Sequence, residues 1–196
     1  KGYAWNPVAF IDRPKNPNDP ELALEGYVVL SVDYIKSFPG KMKTITLTPF
    51  LLPVTEHINS TFGMPNQINF GGKVYFLFFD TDIDLMFLSG GSMPARYGMD
   101  FSRNLTSNFE MHGEFAYIPD YSKKVIEEDG SISEDKFANT NYLLGIRFLT
   151  KTNTTFFFEY LKNGTGYTSN EMRYFYSLIE QGYQSYLLAG DDSQLN

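Results

Sequence analysis

The sequence predicts an all-β fold, an antiparallel up-and-down meander of about eight strands with one helix near the C-terminus. Apolar and polar residues alternate with a period of two in successive short segments, which is typical of strands whose two faces meet different surroundings. Short turns alternate with longer loops between these segments. The chain also contains 18 Phe and 14 Tyr in 196 residues, and aromatic side chains favour strands.

Composition excludes several functional classes. The net charge of -7 disfavours nucleic acid as a partner, because phosphate binding requires a basic surface. The chain has no cysteine and two histidines, His57 and His112, which are far apart in sequence. We therefore expect no metal site and no cofactor. No segment approaches the ~20 apolar residues of a membrane-spanning helix.

The strand pattern begins after a proline-rich stretch. Pro7, Pro14, Pro17 and Pro20 predict a loop over residues 1–25, because proline cannot donate to a strand ladder. Residues 26–162 then form the predicted meander. Its eight segments are 26–37, 42–52, 68–79, 82–87, 96–102, 109–117, 142–148 and 155–160.

The predicted connections differ in length in a regular way. Short turns fall near residues 39, 81, 105 and 152. Longer ones fall at 53–67, 90–95, 119–140 and after 163. This alternation places short turns at one end of the sheet and longer loops at the other, which is the pattern of outer-membrane barrels. A β-sandwich has no physical reason to sort its loops in this way.

The last segment, residues 163–196, has a different pattern. Thr168 and Glu171 fit a helix capping box. Met172, Phe175 and Ile179 follow at helical spacing. The sequence therefore predicts a helix over about 169–188 within a long loop.

One face of the predicted strands is polar, and the other is almost entirely apolar. In a soluble ligand-binding barrel the apolar face points inward. In a membrane barrel the arrangement inverts, and the polar face lines the lumen. The alternation by itself is compatible with the soluble barrel and with the membrane barrel. Scarce lysine, glycines beside charges of both signs, and an apolar face rich in Phe favour the membrane barrel. The predicted lumen-lining residues are then Asp33, Lys73, Asp84, Arg96, Asp100, Glu110, His112, Glu114, Arg147 and Glu159.

Several segments resemble strand–turn–strand units of porin-like barrels from the outer membrane of Gram-negative bacteria. They are 79–85, 98–106 and 142–148, with the opening residues 1–7 similar to a segment that precedes such strands. The resemblance implies a transmembrane protein in the lipid bilayer that supports passive transport of small solutes or ions, with no catalytic residues. Because residues 191–196 lack an aromatic closing strand, we expect residues 1–196 to be a single β-barrel region, a fragment of a larger barrel.

Two other functions fit the residues. A soluble β-sheet or β-barrel could bind a ligand on its aromatic face. A barrel enzyme could use Glu110, His112 and Glu114, which share one strand face and could perform acid–base chemistry. No serine nucleophile stands in a suitable setting, so we expect a structural polar network with Arg96 and Arg147 and no enzyme activity. The sequence leaves the solute, the total strand number and the oligomeric state open.

Overall fold

The computed structural model describes residues 2–13 and 26–189. Antiparallel strands and a single C-terminal helix dominate it, so the predicted meander and helix are confirmed. The elements are β1 (Leu30–Ser31), β2 (Tyr34–Ser37), β3 (Met42–Val54), β4 (Gln67–Phe78), β5 (Thr81–Leu88), β6 (Arg96–Thr106), β7 (Phe109–Ile126), β8 (Ile132–Leu149), β9 (Thr155–Lys162) and α1 (Ser169–Ala189).

The sheet follows the chain order from β3 to β9, and β1 and β2 both pair with β3. Within the described residues no strand joins β9 to β1 or β2, so this part of the chain forms an open sheet. Closure into a barrel stays a prediction that would require further strands.

The predicted first strand, 26–37, is divided into β1 and β2. The register pairs Ser31 with Phe50 and Tyr34 with Leu47, which puts the break opposite Pro49. Proline has no N–H to donate, so the ladder loses a bond there. The Val32 N–H still donates to the Pro49 carbonyl at 3.3 Å, which keeps the two short strands on the same edge.

The predicted loop over 119–140 is wrong. Strand β7 continues to Ile126, and β8 begins at Ile132, with a tight turn between them. Pro119 and the acidic residues that follow it suggested a loop. However, the pairing of β6 with β7 ends at Tyr117. A proline two residues further on therefore breaks no bond between those two strands.

The short connections share one end of the sheet because every pairing is antiparallel. They are 38–41, 79–80, 107–108 and 150–154. Phe79 and Asp80 form a two-residue turn with φ of 50° and 55°, the left-handed backbone that matches the twist of a tight hairpin. The connections 55–66 and 89–95 share the other end and are longer, but the β7–β8 connection, 127–131, is a five-residue turn, so connection length is not sorted strictly by end.

The chain divides into two compact units. The first contains the described residues up to Asp120 together with Ala138–Gly164, and the second contains Tyr121–Phe137 and the described residues from Thr165 onward. A buried apolar cluster in the first unit includes Val8, Phe10, Leu52, Val54, Phe62, Leu88 and Ala116. No helix in the described ranges has the length and apolar character needed to cross a membrane.

Candidate functional site

The polar face of the sheet carries a row of acidic side chains across three strands. The register places Asp84 opposite Asp100 and Asp100 opposite Glu114. Residues directly opposite each other in antiparallel strands point to the same side. Asp100 and Glu114 are each only 4% exposed. Like charges so placed repel each other, so this face needs cations or N–H donors beside it.

Two ion pairs supply part of that compensation. The Lys73 Nζ lies 3.6 Å from an Asp84 carboxylate oxygen. Arg147 donates to Glu110 at 2.8 Å. The sequence predicted that Arg147 would join a polar network with the acidic residues, and this contact confirms it. Lys73 and Arg147 are 44% and 41% exposed, so solvent weakens both pairs.

His112 lies at the centre of the network with its side chain fully buried. Its Nε2 is at hydrogen-bond distance, 3.0 Å, from Glu159, and its Nδ1 is 3.7 Å from Glu110. Gly145 provides the space for the ring, because a Cβ there would lie 2.1 Å from His112 Nε2. The predicted cluster on β7 is therefore completed by Glu159 from β9 rather than by Glu114.

Residues 2–13, which we call the strap, lie on this polar face. They form neither helix nor strand, in agreement with the predicted loop, while residues 14–25 of that loop lie outside the described residues. The Gly2 and Val8 N–H groups donate to Glu114 at 2.5 and 3.3 Å. The Tyr3 and Ala4 N–H groups donate to Glu159 at 2.5 and 3.0 Å.

Tyr3 is 46% exposed, and its side chain lies beside the charged groups of the network. Its hydroxyl donates to Glu110 at 3.1 Å, and its ring centroid is 5.2 Å from that of His112 and 4.5 Å from that of Phe157. Burial, followed by the charge of Glu110, raises the pKa of the Tyr3 hydroxyl. The hydroxyl therefore remains a donor over the physiological range.

The remaining predicted lumen residues also lie along the polar face. Asp33 accepts a hydrogen bond from the Thr48 hydroxyl, at the edge of the sheet. Arg96 is the first residue of β6 and lies four positions before Asp100, so the two side chains point to the same face of the sheet. Sequence reasoning missed the strap residues, because an aperiodic segment carries no signal for where it docks. The sequence contains one signal of close packing on this face, which is the presence of Gly98 and Gly145 among charged neighbours. Gly98 packs against Val8 and Phe10, and Gly145 packs against His112.

The opposite face, which we call the aromatic face, is apolar and exposed. One row of directly opposed residues across β3–β7 consists of Leu47, Val74, Leu85, Met99 and Phe115. Phe158 and Tyr160 on β9 are 62% and 63% exposed. The alternation in the sequence predicts that eight apolar residues share one surface, and the strand pairing places them on this face. They are Phe76, Phe78, Leu85, Phe101, Phe109, Ile146, Phe156 and Phe158.

The second unit has a separate polar contact, at the start of α1. The Thr168 N–H donates to Glu171, and the Glu171 N–H donates to the Thr168 hydroxyl at 3.3 Å, so the predicted capping box is confirmed. Lys123 donates to Glu171 at 2.8 Å. This hydrogen bond is the main reason that the pKa of Glu171 is lowered.

Within the described residues, no three side chains of His, Cys, Asp or Glu are arranged so that they could hold a metal ion. In comparisons with known proteins, no family model matches the chain, and no curated protein or solved structure matches it. Any function must therefore be argued from the two faces of the sheet.

Proposed function

We propose that the chain is part of an outer-membrane β-barrel that supports passive passage of small solutes or ions. One observation carries the proposal, namely the inverted sidedness of the sheet. Carboxylates such as Asp100 and Glu114 are buried, while large apolar side chains on the other face, such as Phe158 and Ile68 (70% exposed), are open to the surroundings. Water disfavours an apolar face this exposed, and lipid outside with a polar interior favours it.

The size of the exposed surface supports a lipid contact. Exposed apolar residues recur on every strand from β3 to β9, whereas scattered single ones are normal on soluble proteins. An apolar patch this extended marks a protein or membrane interface. The up-and-down order, with short turns at 38–41, 79–80, 107–108 and 150–154, supports the barrel in particular.

The charges of the polar face indicate which solutes would pass. Seven acids (Asp33, Asp82, Asp84, Asp100, Glu110, Glu114 and Glu159) share it with three bases (Lys73, Arg96 and Arg147). Acidic linings favour cations in a water-filled pore. Because Lys73 and Arg147 pair with acids, we expect a modest preference for cations or neutral solutes over anions.

The test uses the full-length protein that contains this chain. We expect it to require detergent for extraction from outer membranes, and to conduct in a planar bilayer with a reversal potential toward cation preference. Extraction in buffer alone would support the alternative, a soluble β-sheet protein that binds a ligand on its aromatic face. Detergent-dependent extraction with clear anion preference would reject the predicted selectivity.

A further inference from the structure

We propose that the strap is a closing element, which blocks the polar face when docked and opens it when released. The inference rests on the proposed function and adds a way to regulate it. The strap contacts four consecutive strands, with Gly98 on β6, Glu114 on β7, Leu143 on β8 and Glu159 on β9. It therefore crosses the part of the face where the acidic side chains are concentrated.

The docked strap uses the groups that would otherwise meet a passing ion. Glu114 and Glu159 each accept hydrogen bonds from two backbone N–H groups of the strap. Glu110 accepts a hydrogen bond from the Tyr3 hydroxyl. The Arg147 guanidinium carbon lies 5.8 Å from the centre of the Tyr3 ring. A solute cannot reach these carboxylates along the channel until the strap leaves.

An apolar anchor holds the other end of the strap. Val8 and Phe10 are 4% and 8% exposed, and both fit over Gly98. A Cβ at Gly98 would lie 2.9 Å from the tip of the Phe10 ring and 3.0 Å from a Val8 methyl group. Because Gly98 has no side chain, Val8 and Phe10 of the strap can approach the sheet closely at this position.

The bonding of the strap suits release. Its described backbone–backbone hydrogen bonds are local, from Ala9 to Asn6, from Phe10 to Val8 and from Asp12 to Ala9. Its polar attachment to the sheet runs through the side chains of Glu110, Glu114 and Glu159 instead of a strand ladder. Release also withdraws Val8 and Phe10 from the buried apolar cluster, so the docked state is strongly favoured, while each strand of the sheet keeps its own partners when the strap leaves.

The absence of cysteine from the chain allows a direct test of release. Val8→Cys places a single thiol under the docked strap, where a water-soluble methanethiosulfonate reagent reacts only after release. Glu159→Gln removes a charged acceptor of two strap N–H groups, and we expect the labelling rate to rise about tenfold. Asp82→Asn is the control, because Asp82 lies on the same face but bonds to Tyr75. We expect the control to leave the rate unchanged.

A disulfide then tests closure in the full-length protein. In Val8→Cys/Gly98→Cys the Gly98 Cβ position lies 3.0 Å from the Val8 methyl group whose place the new sulfur takes, and the tip of the Phe10 ring, 2.9 Å from that Cβ position, has to shift slightly. We expect the oxidised protein to conduct severalfold less than the wild type in a planar bilayer and to recover when reduced. Glu159→Gln should conduct more than the wild type.

The outcomes separate the two proposals. Equal labelling in Glu159→Gln and Asp82→Asn backgrounds, in a protein that conducts, would overturn the closing strap and leave the pore. Faster labelling in Glu159→Gln, with no variant conducting, would overturn the pore and with it the closing role. Full conductance of the oxidised double variant would overturn the closing role by itself.

Discussion

Two leucines on β3 offer a matched test of the lipid-facing surface. Leu47 and Leu51 lie on the aromatic face of the same strand, with exposures of 44% and 45%. An arginine at either position would lose the same small apolar contact in water. If water surrounds this face, the two substitutions should therefore destabilise the protein equally, within about 0.5 kcal/mol.

A bilayer makes the two positions different. Four residues at about 3.4 Å per residue, on a strand tilted by about 45°, separate the two side chains by about 10 Å in depth. Leu47 is close to the centre of β3, which spans Met42–Val54. Leu47→Arg should then cost ~2–4 kcal/mol, and Leu51→Arg should cost at least about 1 kcal/mol less, because the penalty falls toward the interfaces.

The assay is guanidinium unfolding of the full-length protein in lipid vesicles. Leu47→Ala and Leu51→Ala are the controls. They remove similar apolar surface, and their costs should match, so the difference between the arginine variants reports depth alone. Equal costs for Leu47→Arg and Leu51→Arg would refute the assignment of this face to lipid.

Two further predictions concern the polar contacts. Gly145→Ala should lower the free energy of unfolding by about 1–3 kcal/mol, because its Cβ would displace His112, whereas Gly26→Ala, with no atom within 4 Å, should change it little in the same denaturation experiment. The lowered pKa of Glu171, against an ordinary value of 4.5, means that the folded state favours the carboxylate. Its contribution is present above that value and is lost as the pH falls below it. Helix content by circular dichroism should therefore drop more between pH 5 and pH 3 in the wild type than in Glu171→Gln, and identical curves would argue against the role of the Glu171 carboxylate.

The sequence was sufficient to predict the strands because side-chain alternation is a local property. Val74, Phe76 and Phe78 alternate with Lys73 and Tyr75, and β4 forms with those two faces. The helix was predictable for a similar reason. Thr168 and Glu171 satisfy each other within one turn, so the signal needs no distant residue.

Features that depend on distant residues were not predictable. The break between β1 and β2 is set by Pro49, which lies across the pairing on another strand. The extension of β7 past Pro119 depends on where β6 stops pairing. The docking of Tyr3 depends on Glu110, which is 107 residues away in sequence. In each case the deciding partner could be found only from the register of the sheet.

The open edge at β9 affects how the described part of the chain behaves on its own. A sheet edge presents a row of unpaired N–H and C=O groups that can template the addition of another strand. Here that edge is the segment Thr155–Lys162, in which Phe156, Phe157 and Phe158 are consecutive and all exposed. Short aromatic segments with high β-propensity and few charges nucleate cross-β aggregates. In water, with no further strand paired to this edge, the chain should precipitate as edge-paired fibrils or inclusion bodies.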